Sequence, residues 1–147
     1  LTCALLAARQ IACVDKPLYH YLMHGESLSE TRNPSRYRDK IKSFDLLMQF
    51  ARENGLYEAN QAELDYIYLK KGYLLGILTY IYNEQQPQQL TLCKIYNHLL
   101  SYVPYYKANA YYHADLKLRL LHTFVRQYPR LAFKVLPYYI HKTKMKL

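Results

Sequence analysis

From residue 34 onward the apolar positions recur at helical spacing. Tyr37, Ile41, Phe44, Met48 and Ala51 follow one another at i, i+4, i+7, i+11 and i+14, the pattern of a single buried helix face. Arg36, Lys40 and Lys42 lie around its sides. Asn33 as N-cap and Pro34 at the first helical position start this helix. Asn54-Gly55 ends it with a left-handed cap. Asn60, with Glu63 three residues on, predicts a second N-terminus of the capping-box type, opening a helix over about 61–83. From Gly72 to Tyr82 that helix is apolar on all sides, which marks the buried centre of a bundle. A bilayer span takes about 20 such residues. Gly72 and Gly76 then serve close helix packing.

QQPQQ closes the central helix. Leu90, Ile95, Leu99 and Leu100 outline a third helix, stopped near Pro104. Leu116, Leu120, Leu121, Phe124, Val125 and Tyr128 outline a fourth, stopped before Pro129. RLAFKVLPYYIHKTKMKL reads as a short amphipathic helix broken at Pro137 and trailing into lysines. The region 34–147 is therefore predicted to be mainly α, an irregular bundle of four or five helices.

Residues 1–33 have a different pattern. LTCALLAARQ reads as the second half of an amphipathic helix, with neither a basic leader nor the length of a membrane span. IACVD has the β-branched, apolar character of a short buried strand, and Pro17 holds Lys16 extended. Leu18, Tyr19 and Tyr21 continue the extended run, and Gly25 marks a turn. One short strand needs a sheet to join, which predicts that this segment completes a sheet lying upstream in a larger protein.

Composition changes this picture at three points. Tyrosine is abundant, 18 residues against four phenylalanines and no tryptophan, and its apolar ring with a polar tip suits half-buried faces. Cys3, Cys13 and Cys93 form no CxxC pair, so reduced thiols fit better than a disulfide framework or a zinc site. Cys13 and Cys93 are expected in the core. The net charge of +9 is lopsided. Through Asp115, twelve Lys/Arg stand against eleven Asp/Glu. From Leu116 there are eight bases and no acid: Lys117, Arg119, Arg126, Arg130, Lys134, Lys142, Lys144 and Lys146. Basic residues interleaved with apolar and aromatic ones seek anionic lipid, phosphate ligands or nucleic acid. Concentration at one end, without a nucleic-acid-binding motif to frame it, favours an anionic membrane over nucleic acid.

No Gly-rich phosphate loop, HExxH, Asp-x-Asp pair or nucleophile elbow is present. His98, His113 and His122 read as helix-surface or satisfied core histidines, and Asp39 and Asp45 as ion-pair partners in a Lys-rich helix. His24 differs. It stands in a turn between an aromatic extended run and Ser27-x-Ser29, with Arg32, Arg36 and Arg38 following. Imidazole, hydroxyl and guanidinium groups together suit a diphosphate or its metal ion.

The run IACVDKPLYHYLMHGESLSET is similar to the last catalytic-domain segment of bacterial family 2 glycosyltransferases. There a strand, a polar turn, Leu-Tyr-x-Tyr and Ser-x-Ser follow the catalytic acidic pair. LTCALLAARQ matches the helix after that pair. The resemblance covers residues 1–33. It implies that these residues are a short remnant (helix, strand, loop) of an α/β GT-A catalytic domain, with 34–147 a helical C-terminal extension. It also implies that Tyr21, His24, Ser27 and Arg32 lie near the diphosphate of a nucleotide-sugar donor, His24 being a candidate metal ligand. Leu22 departs from the family, where many relatives carry Arg, so His24 or Arg32 would have to supply the missing charge. The divalent metal (Mg or Mn), its Asp-x-Asp site and the general base belong to the upstream part, and no catalytic residue falls in this chain.

The function so implied is sugar transfer to a lipid-linked or saccharide acceptor in cell-surface polysaccharide synthesis. The protein would then be cytoplasmic and peripheral at the inner membrane face, held there by Arg130, Lys134, Lys142, Lys144 and Lys146. The alternative is a helical interaction module, including a homodimer formed through its Tyr faces, or a basic nucleic-acid-binding domain.

Overall fold

The computed structural model describes Ala8, Asn33 and residues 35–143, with side-chain surroundings through His141. The strand expected at 11–15, the loop at 18–30, Cys3 and Cys13 lie outside the described residues.

The described part is a helical bundle. Its elements are α1 (Arg36–Glu53), α2 (Gln61–Ile67), a π-helical segment (Tyr68–Leu74), α3 (Leu75–Asn83), α4 (Gln89–Tyr102), α5 (Ala110–Ala114), α6 (Leu116–Gln127) and α7 (Pro129–Thr143). α2, the π segment and α3 follow one another without interruption as the central rod. α1 crosses α3 and the π segment, α7 returns against α3, and α5 docks on α2. α6 joins α5 to α7, and α4 closes on the π segment.

α1 forms as its pattern dictates. Tyr37, Met48 and Ala51 are buried, and Ile41 and Phe44 pack against them. The N-cap of α1 is Ser35 rather than the expected Asn33, with no side-chain cap bond; Asn33 Oδ1 instead accepts the Ser35 amide at 2.9 Å just ahead of the first turn. At the other end Gly55 adopts φ 64°. The Gly55 amide reaches Arg52 O and the Leu56 amide reaches Ala51 O at 2.8 Å, the paired bonds of a Schellman cap.

The central rod is held close to α1 by its two glycines. A Cβ on Gly72 would stand 2.9 Å from Phe44 Cβ, and one on Gly76 3.0 Å from Ile41 Cγ1. Both gaps are filled by α1: a side chain at 72 would collide with Phe44, and one at 76 would force Ile41 to shift. The π turn, YLKKGYL, was not legible, because one inserted residue leaves the helical reading of 61–83 unbroken. It buries Tyr68, Leu69, Gly72, Tyr73 and Leu74 together.

Several expectations are corrected. The capping box at Asn60 does not form: Asn60 Nδ2 donates to Leu56 O at 2.9 Å and Glu63 accepts the Tyr111 hydroxyl at 2.7 Å. A 3₁₀ turn at Glu58–Asn60 already leads the chain into α2, so nearby carbonyls and tyrosines claim both side chains. Cys93 is exposed, because α4 buries Leu92, Ile95 and Leu99 on the opposite side. Leu90 is 63% exposed for the same reason. α7 runs through Pro137 without breaking. A proline there removes one amide donor, a cost of about 3 kcal/mol. Burial of Ala132, Leu136 and Ile140, each large side chain worth about 1.5–3 kcal/mol, outweighs it.

Candidate functional site

α6 and α7 form a corner in which both helices carry more apolar residues than the core can take. Asp115 fixes where α6 begins. Its Oδ1 accepts the Leu118 amide at 2.9 Å, and its Oδ2 pairs with Lys70 Nζ at 2.8 Å and accepts the Tyr66 hydroxyl. The Lys70 ammonium, then the Leu118 amide, hold this carboxyl down to about 2, so it stays ionised as a cap. With that start, α6 turns Leu118, His122 and Val125 inward.

Leu116 and Leu120 consequently face outward, 60% and 62% exposed. This corrects the sequence expectation that both belong to the buried face of α6. Two apolar stripes run along the helix, 116/120/124 and 118/122/125, and only one can meet the core. The signal was present, but histidine at 122 made the buried stripe look polar. α7 repeats the arrangement. Ala132, Leu136 and Ile140 are buried, whereas Leu131, Val135, Tyr138 and Tyr139 lie open.

Between the two helices lies an open trough of about 570 Å³. Leu116, Leu120 and Phe124 line one wall and Val135, Leu136 and Tyr139 the other, with Lys117 at the edge. Arg130 and Lys134 are exposed on α7. Two other bases are engaged internally: Arg119 donates to His113 O at 3.1 Å, and Arg126 sits 4.8 Å above the Tyr96 ring. The Lys142 side chain, Lys144 and Lys146 lie outside the described residues, as do Tyr21, His24, Ser27 and Arg32. Of the expected contact residues, the structure thus places Arg130 and Lys134 on the corner that carries the trough.

Two further polar constellations sit within the bundle. Asp45 on α1 accepts the Tyr68 hydroxyl at 2.6 Å and lies 2.9 Å from His98 Nε2 on α4. It therefore ties three elements together, across sequence separations that no local pattern reveals. His122 is 2% exposed and surrounded by the rings of Tyr73, Tyr96, Tyr106 and Tyr112. Its Nδ1 stands 3.1 Å from the Tyr112 hydroxyl, while Nε2 has no hydrogen-bond partner among the described residues. His122 is thus in the core but only half satisfied. Burial, with Arg126 and Lys107 adding repulsion, holds its pKa down to about 4, so the ring is neutral near pH 7.

Among the described residues no group of three or more His, Cys, Asp or Glu is placed to hold a metal ion. Among the same residues no helix is long and apolar enough to cross a membrane. No family profile, curated protein or solved structure matches the chain.

Proposed function

We propose that the chain is the C-terminal portion of a glycosyltransferase, and that its helical extension docks the enzyme on an anionic membrane surface. In this reading residues 1–33 complete an α/β GT-A catalytic domain. Tyr21, His24, Ser27 and Arg32 face the diphosphate of a nucleotide-sugar donor. A divalent metal and a carboxylate base, both outside this chain, assist departure of the diphosphate and deprotonate the acceptor hydroxyl. The acceptor belongs to cell-surface polysaccharide and is presented at the inner face of the membrane.

The observation that carries the docking half is the α6–α7 corner. It leaves Leu116, Leu120, Leu131, Val135 and Tyr138 open to solvent, in a stretch with eight bases and no acid. Apolar side chains beside cations are what an interfacial surface needs, burying the former at the headgroup boundary and pairing the latter with lipid phosphate. Each cation near such a surface is worth about 1 kcal/mol. The catalytic half is supported by the segment IACVDKPLYHYLMHGESLSET alone.

Vesicle co-sedimentation tests the docking. The chain should bind vesicles of anionic phosphatidylglycerol and ignore those of phosphatidylcholine, and added salt should weaken the binding. Arg130→Ala with Lys134→Ala should weaken it about thirtyfold, following from two lost cations. Equal binding to both vesicle types would refute the docking. For the catalytic half, His24→Ala in the polypeptide that carries the upstream acidic motifs should depress nucleotide-diphosphate release. Unchanged turnover would remove His24 from the donor site.

A further inference from the structure

The trough between α6 and α7 has a neighbour at its α6 start. It shares Lys117 and Leu121 with a second cleft of about 260 Å³, which runs beneath α6 to Lys70, Lys71 and Leu75 of the central rod. The two hollows differ in chemistry. The trough is walled by leucine, valine, phenylalanine and tyrosine. The cleft adds to five leucines three ammonium groups, Lys70, Lys71 and Lys117, and one carboxylate, Asp115.

That carboxylate is already committed. It pairs with Lys70 at 2.8 Å and caps α6 through the Leu118 amide. Lys71 and Lys117 are exposed and have no carboxylate partner among the described residues. Positive charge extends beyond the cleft. Lys40 on α1 donates to Thr79 Oγ1 at 3.3 Å, and its ammonium is destabilised first by burial and then by Arg36 and Lys71. An apolar trough beside cations without carboxylate partners complements a molecule with a hydrocarbon tail and an anionic head.

We propose that the trough, with the cleft beside it, is a binding site for one single-chain phospholipid. The alkyl chain lies between α6 and α7, and the phosphate lies between Lys71 and Lys117. The site deepens the membrane-docking reading and rests on it, since the occupant is a lipid drawn from the surface that the corner contacts. Charge selects this occupant over a second copy of the chain. A copy would bring its own +9 formal charge against the same lysines, whereas a phosphate neutralises them.

Titration of the 147-residue chain with dodecyl phosphate, kept below its micellar concentration and followed calorimetrically, tests the site. Saturable binding of one molecule per chain is expected. Lys71→Ala with Lys117→Ala should weaken it at least about tenfold. Dodecanol, which has the tail without the charge, and inorganic phosphate, which has the charge without the tail, should each bind more weakly by a similar factor. Both lysines are exposed, so far-UV circular dichroism should show the variant folded. Leu120→Glu, also at an exposed position, should abolish binding without unfolding the chain.

Absence of saturable binding would overturn the site, as would equal binding of dodecanol or of inorganic phosphate. Binding by the lysine variant at wild-type strength would do the same. Vesicle binding separates this failure from failure of the parent reading. Anionic vesicles bound without dodecyl phosphate leave docking intact and remove the lipid site, whereas neither bound removes both. A dimer by sedimentation that dodecyl phosphate neither enters nor dissociates would assign the trough to a second copy, also overturning the proposal.

Discussion

His122 makes the stability of the bundle depend on pH, with a sign and a size that follow from its surroundings. In the unfolded chain the imidazole titrates near 6.5, and in the fold near 4. Burial among four tyrosine rings disfavours the imidazolium, and Arg126 and Lys107 add to the effect. The unfolded state therefore takes up a proton first as pH falls. The contribution is fully present above about pH 6.5 and is lost progressively as pH drops toward 4, below which both states are protonated. At about 1.4 kcal/mol per unit, the loss is about 3 kcal/mol. Asp115, held down to about 2, loses its contribution only below this window. Asp65, pushed up mainly by burial, opposes the trend, because a raised carboxyl favours the fold as it protonates.

The control is His122→Phe, which fills the ring position with a side chain that does not titrate. It leaves the Tyr112 hydroxyl without its imidazole partner, costing about 1 kcal/mol near neutral pH. Urea unfolding followed by far-UV circular dichroism, from about pH 7 to about pH 4, should show the wild type losing stability faster than the variant. The two curves should converge or cross near the acid end. Parallel curves across that range would refute the reasoning, because they would mean that a buried imidazole without an Nε2 partner has no bearing on the pH dependence.

Gly72→Ala should destabilise the fold by about 1–3 kcal/mol in chemical denaturation, since the new methyl meets Phe44 Cβ at 2.9 Å and overpacking outweighs the gain in helix propensity. Gly76→Ala meets the more yielding Ile41 side chain and should cost less; the reverse order would contradict the packing. Pro137→Ala should raise the melting temperature, because α7 is already continuous through this position and alanine restores an amide donor to it. Asp45→Ala should cost about 2–3 kcal/mol, leaving the buried Tyr68 hydroxyl without its acceptor. Combining it with Tyr68→Phe should recover part of that loss, as a double-mutant cycle would show.

What the sequence disclosed and what it hid follow from the range of each interaction. α1, its glycine cap and the apolar second half of the central rod were legible because they rest on contacts three to five residues apart, or on one glycine's backbone. The close approach at Gly72 and Gly76 was legible as small residues at helical spacing, although not which helix would fill the gaps. α6 was misread because its two apolar stripes compete for one core. The winner is set by Asp115, which caps the helix while held by Lys70 and Tyr66 from the distant central rod. Once that cap fixes the rotation of α6, His122 turns into the tyrosine cluster, and Leu116 and Leu120 turn out beside Val135 and Tyr139. The apolar trough and the half-satisfied histidine thus have one cause. A cap chosen by tertiary contacts exposes leucines that local pattern would bury, and buries an imidazole that local pattern left open between surface and core. Shifting that rotation would affect both features together, which links the pH response of the core to the surface proposed to meet lipid.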